Sequence, residues 1–346
     1  MADDLVVQRR DGLYCPQGDF YIDPWRPVER AVLTHAHADH ARRGHARYLA
    51  AAPAEGVLRI RLGEEIALET LPYGEAIAHH GVRVSFHPAG HVLGSAQVRL
   101  EHGGQVWVAS GDYHVAGDGA DPREDNATCT PFEPVRCHCF ITESTFGLPI
   151  YRWQPQAELF ADIDAWWQAN ADAGRASLLY CYAFGKAQRV LAGLAGASAL
   201  DTGPVVCHGA IDVLNDAYRA TGVALPPTHR VGDIDATALR RALVLAPPSA
   251  SGTPWLRRFG DASDAFASGW MRLRGARRRR SLDRGFALSD HADWPGLLRA
   301  IAATGAPRVI VTHGQVSVMV RWLAEQGLDA GAFATEYDED AAEAGA

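Results

Sequence analysis

The sequence predicts an α/β protein built in two parts. Three observations carry this. Up to about residue 150, short β-prone runs alternate with turns; beyond it, strand-like and helix-like runs take turns along the chain; and the last segment returns to strand runs that end in polar, glycine-flanked motifs.

In chain order, Ala31-Val32-Leu33-Thr34 reads as a strand running straight into a histidine cluster. Val82–Phe86 and Gln97–Leu100 alternate apolar and polar residues, and Gln105–Ala109 follows, ending at Ser110-Gly111-Asp112. Residues 114–131 are rich in Gly, Asp and Pro and read as a loop, after which Phe140-Ile141-Thr142 is a short buried strand. A helix is expected over 156–170. Strand-like Leu178–Tyr180, Val205-Val206 and Leu243–Leu245 then alternate with helices near 186–194 and 211–220. This βαβα rhythm predicts a parallel sheet flanked by helices. Phe286–Leu288 runs into Ser289-Asp290-His291, and Val309–Val311 into Thr312-His313-Gly314. From Glu336 on, the tail is acidic and Ala-rich and is expected to fray.

The bulk composition narrows the classes. With 346 residues, 47% hydrophobic and 21% charged, the chain has room for two domains of ordinary soluble type. It contains no run of 18 apolar residues and no N-terminal apolar core of signal-peptide length, so no membrane contact and a cytoplasmic location are expected. The six cysteines lack the density of a disulfide scaffold, and Cys137-His138-Cys139 has no second pair to complete a zinc set; buried thiols at the start of a strand are the simpler reading. A net charge of −8 argues weakly against a surface coated for nucleic acid, yet Arg277–Arg280 form an uninterrupted basic run.

The segment His35-Ala36-His37-Ala38-Asp39-His40 carries the strongest chemical signal. Imidazoles and carboxylates suit Zn(II), Mn(II) or Fe(II). In an extended stretch, residues i and i+2 point the same way, so His35 and His37 can share one ion. A chain turning into a helix after them would direct Asp39 and His40 to a second position. A second ion needs more ligands, and His91 in Pro88–His91, Asp112 and His313 are candidates. Each follows a strand-like run beside a glycine, which lets backbone approach a site closely. His79, His80 and His87 are read as solvated.

The order HxHxDH, then GH, then GD is similar to that of the metallo-β-lactamase superfamily. Glu143 in Thr142–Gly147, His291 in Ser289–Asp293 and His313 resemble the three added motifs of its β-CASP nuclease branch. Within that branch, Tyr14–Pro16, Phe20–Trp25 and the run from Glu143 to Trp153 are most similar to bacterial DNA-ligase-associated exonucleases. The resemblance implies an αββα sandwich formed by residues 1–150 and 283–346, with a β-CASP domain, 151–282, inserted. It implies two divalent metals, zinc first and manganese or iron as alternatives. His35, His37 and His91 would hold one and Asp39, His40 and His313 the other, with Asp112 bridging. His291 would protonate the leaving oxygen, oriented by Glu143. It also implies DNA as substrate and an ATP-dependent DNA ligase with other repair factors as partners.

Softer expectations concern substrate contacts. Ser268-Gly269-Trp270 resembles a segment lining a terminal-phosphate pocket in DNA cross-link repair nucleases; a plain strand with a buried Trp is the alternative. Ser249 and Ser251 could form an anion nest or a helix cap. Lys186 could contact phosphate or be solvated. The Arg277–Arg280 run could grip a nucleic-acid backbone. A histidine at 313 is more typical of RNA-processing members, which keeps an RNA substrate open. A small-ester hydrolase is a rival that Glu143, His291 and the basic run disfavour. A non-catalytic module is disfavoured by the full ligand set.

Overall fold

Residues 4–195, 201–273 and 282–337 are described by the computed structural model. The Arg277–Arg280 run and the tail beyond Tyr337 lie outside the described residues. Along the first part run strands β1 (Val7–Arg9), β2 (Gly12–Cys15), β3 (Phe20–Ile22), β4 (Arg30–Val32), β5 (Arg47–Ala51), β6 (Leu68–Leu71), β7 (Ala76–His79), β8 (Val82–Pro88), β9 (Ala96–His102), β10 (Gln105–Ala109) and β11 (Cys139–Ser144). The middle part contributes β12 (Ser177–Tyr180), β13 (Val205–Cys207), β14 (Leu243–Ala246), β15 (Ser263–Ala267) and β16 (Arg284–Phe286). The last part adds β17 (Arg308–Gly314) and β18 (Asp329–Ala332). The chain is thus mixed α/β, as the sequence rhythm predicts.

Two compact units emerge. Among the described residues, the first comprises 4–116, 129–152 and 291–337, and the second 117–128, 153–195, 201–273 and 282–290. In the first unit, β1 to β6 form one sheet in sequence order, and β18-β17-β11-β10-β9-β8-β7 form another. Their facing sides share one core, in which Leu13, Phe20, Ile22 and Val32 meet Val84, Phe86, Val98, Leu100 and Ile141. The other face of the second sheet packs Val108, Phe140, Val309 and Val311 against helices Trp294–Thr304 and Val316–Glu325. Helix Trp294–Thr304 starts where Asp293 caps it by accepting the Gly296 N–H at 2.9 Å and stops at Gly305 in the left-handed region, φ 62°.

The second unit is a five-stranded sheet, β13-β14-β12-β15-β16, in which every pairing is parallel. Parallel neighbours need crossovers, and helices Lys186–Leu194 and Gly209–Ala220 occur between successive strands. Helix Gln156–Asp172 is anchored on this sheet by its two tryptophans: Trp167 Nε1 donates to Arg241 O at 2.8 Å and Trp166 Nε1 to Ser263 Oγ at 3.3 Å.

Four expectations change. Residues 283–290, placed with the return segment, belong to the second unit because β16 pairs with β15. So do residues 117–128, where Asp125 ion-pairs with Arg189 at 3.2 Å. No helix follows the histidine cluster; a single turn does, with Ala41 N donating to His37 O at 2.7 Å. Glu336 and Tyr337 are held rather than frayed: Arg26 pairs with the Glu336 carboxylate at 2.7 Å, and Tyr337 Oη donates to Asp23 O at 3.3 Å. The Cys137–Cys139 fragment is a strand start whose two free thiols enter the two separate cores of the first unit.

Candidate metal centre

The candidate ligands gather at the carboxyl ends of strands in the first unit. His35, His37, Asp39 and His40 follow β4, Asp112 follows β10, Glu143 closes β11 and His313 closes β17; His91 sits in the β8–β9 connection. Close approach is built into the backbone. Gly111, at φ 57°, lies so near Thr34 that an added Cβ would come within 2.6 Å of that side chain, and at Gly90 one would come within 2.6 Å of His114 O.

Donor atoms of His35, His37, His91 and Asp112 lie within 4.8 Å of one another, and so do those of His40, Asp112 and His313. Asp112 is therefore common to two groups. Its Oδ2 is 3.4 Å from His35 Nε2, 3.5 Å from His40 Nε2 and 3.7 Å from His91 Nε2, while its Oδ1 is 3.1 Å from His313 Nε2. His91 Nε2 and His37 Nδ1 are 3.0 Å apart. Asp39 belongs to none of these groups among the described residues, although its Oδ2 lies 3.6 Å from His40 Nε2.

This donor set fits divalent ions. His35 Nε2, Asp39 Oδ1 and His40 Nε2 are buried and make no hydrogen bond. Burying unpartnered polar atoms is costly, and His35 Nε2 and His40 Nε2, both beside Asp112 Oδ2, are atoms that metal coordination would satisfy. Burial, with the charge of His40, holds His35 well below the ordinary histidine value, and burial with the neighbouring His91 brings His37 down to about 3. Both are thus kept in the neutral form that ligates metal. Burial also opposes charge on His40, but Asp112, Asp39 and Asp23 outweigh it and raise its pKa to about 10. Burial pushes Asp112 up, yet the charge of His40 and the hydrogen bond from His313 hold its carboxyl well below the usual range.

A buried carboxylate behind the ligands fixes their orientation. Asp23 accepts from Thr34 N at 2.8 Å and Thr34 Oγ1 at 2.5 Å, and its Oδ2 is 2.8 Å from His40 Nδ1. Thr34 Oγ1 lies 3.0 Å from His35 Nδ1, and Thr312 Oγ1 lies 2.9 Å from His313 Nδ1. With each Nδ1 engaged, each Nε2 is turned toward Asp112, the arrangement that outer partners impose on metal-binding histidines. Asp23 falls within the Phe20–Trp25 run, but its role was not readable from the sequence, because the pairing of β3 with β4 creates it.

Glu143 and His291 form a second pair beside the ligands. His291 Nδ1 is 2.9 and 3.0 Å from the two Glu143 oxygens. Glu143, 1% exposed, also accepts from Tyr113 N at 2.8 Å and Thr145 Oγ1 at 2.5 Å. Asp112, Glu143 and His291 could themselves group around an ion, but the existing partners already occupy both Glu143 oxygens. His114, not singled out by sequence, is buried and lies 3.2 Å from His291 O through Nδ1.

His79, His80 and His87 belong to none of the candidate metal groups among the described residues. His80 is exposed, while His87 is half-buried and 3.5 Å from Glu133. The residues expected to touch substrate lie in the second unit. Ser268 is buried and caps a short helical turn, Gly269–Arg272, accepting from Trp270 N at 3.3 Å; Gly269 is buried and Trp270 half-buried. Ser249 lies in the turn Pro248–Ala250, and exposed Ser251 follows it. Lys186 is not solvated: it is buried, with Nζ 2.8 Å from Asp290 Oδ2, a carboxylate that Arg189 also approaches at 3.4 Å.

No family model matches the chain. Over 330 residues, 94% of its length, it is 33% identical to a probable DNA ligase of Opitutus terrae, and the match covers 30% of that protein. Over 124 residues, 36% of its length, it is 32% identical to Endoribonuclease YSH1 of Yarrowia lipolytica, covering 14% of that protein. A similar match, 28% identical over 124 residues, covers 36% of this chain and 15% of cleavage and polyadenylation specificity factor subunit 3 of Dictyostelium discoideum. The chain therefore spans less than a third of each of these relatives. A solved structure, a protein of unknown function from Enterococcus faecalis V583, shares the fold at a TM-score of 0.58 and 12% identity, over 89% of this chain and 80% of that one. By these relatives, the chain belongs to the β-CASP branch of the metallo-β-lactamase superfamily.

Proposed function

We propose that the chain is a two-metal phosphodiesterase that digests DNA from an end, 5′ to 3′ on single strands, in the service of ligase-associated repair in the cytoplasm. The observation that carries the hydrolytic reading is the sharing of Asp112 between two histidine groups, with the Glu143–His291 pair alongside. In this reading the first unit is the αββα sandwich and the second its β-CASP insert. Bound zinc, or manganese or iron, would lower the pKa of a coordinated water and neutralise charge on the phosphoryl oxygens. His35, His37 and His91 would hold one ion, and Asp39, His40 and His313 the other, with Asp112 common to both. Glu143 keeps His291 Nδ1 occupied, so proton delivery to the leaving oxygen falls to Nε2.

The choice of DNA, and of a DNA ligase as partner, is supported by the relative named a probable DNA ligase, a longer protein that contains a stretch similar to nearly all of this chain. No helix among the described residues is long and apolar enough to cross a membrane. The 5′ polarity rests on Ser268-Gly269-Trp270: a terminal phosphate carries more negative charge than an internal one, and Ser268, the Gly269 backbone and Trp270 would form the pocket that reads it. Ser249 and Ser251 are weaker candidates for backbone contacts. A second reading, RNA cleavage, is favoured by the two RNA-processing relatives and by His313.

The test offers DNA and RNA strands labelled at either end, with a 5′-phosphate or a 5′-hydroxyl, with metal and with chelator. Release of 5′-terminal nucleotides from DNA, dependent on metal and on the 5′-phosphate, is expected. Preferential RNA cleavage would favour the second reading. Cutting of circular single strands would indicate an endonuclease, and release from the 3′ end would overturn the polarity.

A further inference from the structure

Five consecutive residues near the end of the described chain are tied, one by one, to other parts of the first unit. Phe333 N donates to Val311 O at 3.0 Å, Ala334 N to Gln8 Oε1 at 2.9 Å, and Thr335 Oγ1 to Thr312 O at 3.1 Å. The Glu336 carboxylate pairs with Arg26 at 2.7 Å, and its carbonyl accepts from Arg42 at 3.1 Å. The last of the five, Tyr337, donates through Oη to Asp23 O at 3.3 Å.

The ring of Tyr337 is what this anchoring delivers. It stacks on His40, with centroids 4.3 Å apart and planes 20° apart, and meets His313 edge-on at 5.4 Å. The His35 ring also lies 4.2 Å from that of His40, whose Nδ1 is engaged by Asp23 at 2.8 Å. Trp25, edge-on to Tyr337 at 5.8 Å, backs the ring in turn. Without Tyr337, His40 would lose its stacking partner and His313 an edge-on aromatic neighbour.

We propose that Tyr337 is a positioning residue for the His40–Asp112–His313 group, so that segment 333–337 sets the affinity of that group, and not of the His35–His37–His91 group, for its metal. The inference rests on the two-metal reading of the site. Partners that orient metal-binding histidines typically contribute about 10- to 100-fold in metal affinity. The stacking ring rather than the hydroxyl carries the contact with His40, so phenylalanine should substitute.

The experiment strips full-length wild type, Tyr337→Phe and Tyr337→Ala with chelator. Each is then titrated with zinc against a competing chromophoric chelator, with circular dichroism as a check on folding. Wild type and Tyr337→Phe should take up two ions with similar affinities. Tyr337→Ala should keep one at wild-type affinity and bind the other about 10- to 100-fold more weakly. If Tyr337→Ala does not fold, Tyr337→Leu, which keeps apolar bulk without an aromatic face, should show the same selective loss. Two unchanged affinities in the non-aromatic variant, or equal weakening of both, would overturn the inference while leaving the two-metal reading intact. Uptake of fewer than two ions by wild type would sink that reading, and this inference with it.

Discussion

Replacing Glu143 or His291 separates metal binding from proton delivery. His291→Ala removes the group assigned to protonate the leaving oxygen, and such transfers contribute about a hundred- to ten-thousand-fold. Glu143→Gln leaves that group in place but neutralises the carboxylate 2.9 Å from its Nδ1. A hydrogen bond to a charged group is worth about 1.5–3 kcal/mol, or about 10- to 150-fold in rate. The amide does more than remove charge. Both Glu143 oxygens accept N–H or O–H donors, from Tyr113 on one side and Thr145 on the other, so an NH2 in either position faces a donor. The Glu143→Gln loss should therefore sit at the upper end of its range yet below that of His291→Ala. The assay compares single-turnover cleavage of a labelled DNA strand with hydrolysis of a nitrophenyl phosphodiester, whose leaving group needs little protonation. Both variants should retain wild-type metal content and lose far less on the nitrophenyl substrate. Equal losses on the two substrates, or loss of metal from His291→Ala, would refute the assignment of His291 as the acid.

Other outcomes follow from the same geometry. His37→Ala should abolish phosphodiester cleavage and lower metal content, measured by elemental analysis. Asp23→Asn weakens the hold on His40 and Thr34 and should reduce metal affinity by about 10- to 100-fold while leaving a folded chain, read by zinc competition. Chelation should lower the Tm, because each ion present at about 100 times its Kd adds about 2.7 kcal/mol of stability; an unchanged Tm would argue against bound metal. In chelated protein, His40 has a pKa raised from 6.5 to about 10, so the stability its charge contributes is complete below about 6.5 and is lost as pH climbs through about 10. Thermal melts of chelated protein should therefore fall across that window, and zinc-loaded protein should not share this component of the fall.

The parts of the site written contiguously were the most legible. His35, His37, Asp39 and His40 announce a metal site because they lie within six consecutive residues, and the glycines beside His91 and Asp112 mark the close approaches that the backbone makes. The parallel sheet of the second unit was readable from alternation. What depends on distant pairing was not. Asp23 acquires its role only when β3 lies beside β4, and Tyr337 reaches His40 from nearly 300 positions away. The boundary at 283 was misplaced because β16 resembles any short strand until it pairs with β15. Lys186 read as a surface cation because nothing local reveals a partner, Asp290, about a hundred positions along the chain.

The most direct measurement is the metal content of wild type and Asp112→Ala, determined on the same preparations used for cleavage of labelled DNA and RNA. Asp112 is common to both ligand groups, so wild type should hold two ions per chain and cleave, whereas Asp112→Ala should hold fewer and cleave neither substrate. Full cleavage by Asp112→Ala, or by chelated wild type without metal, would contradict the two-metal centre.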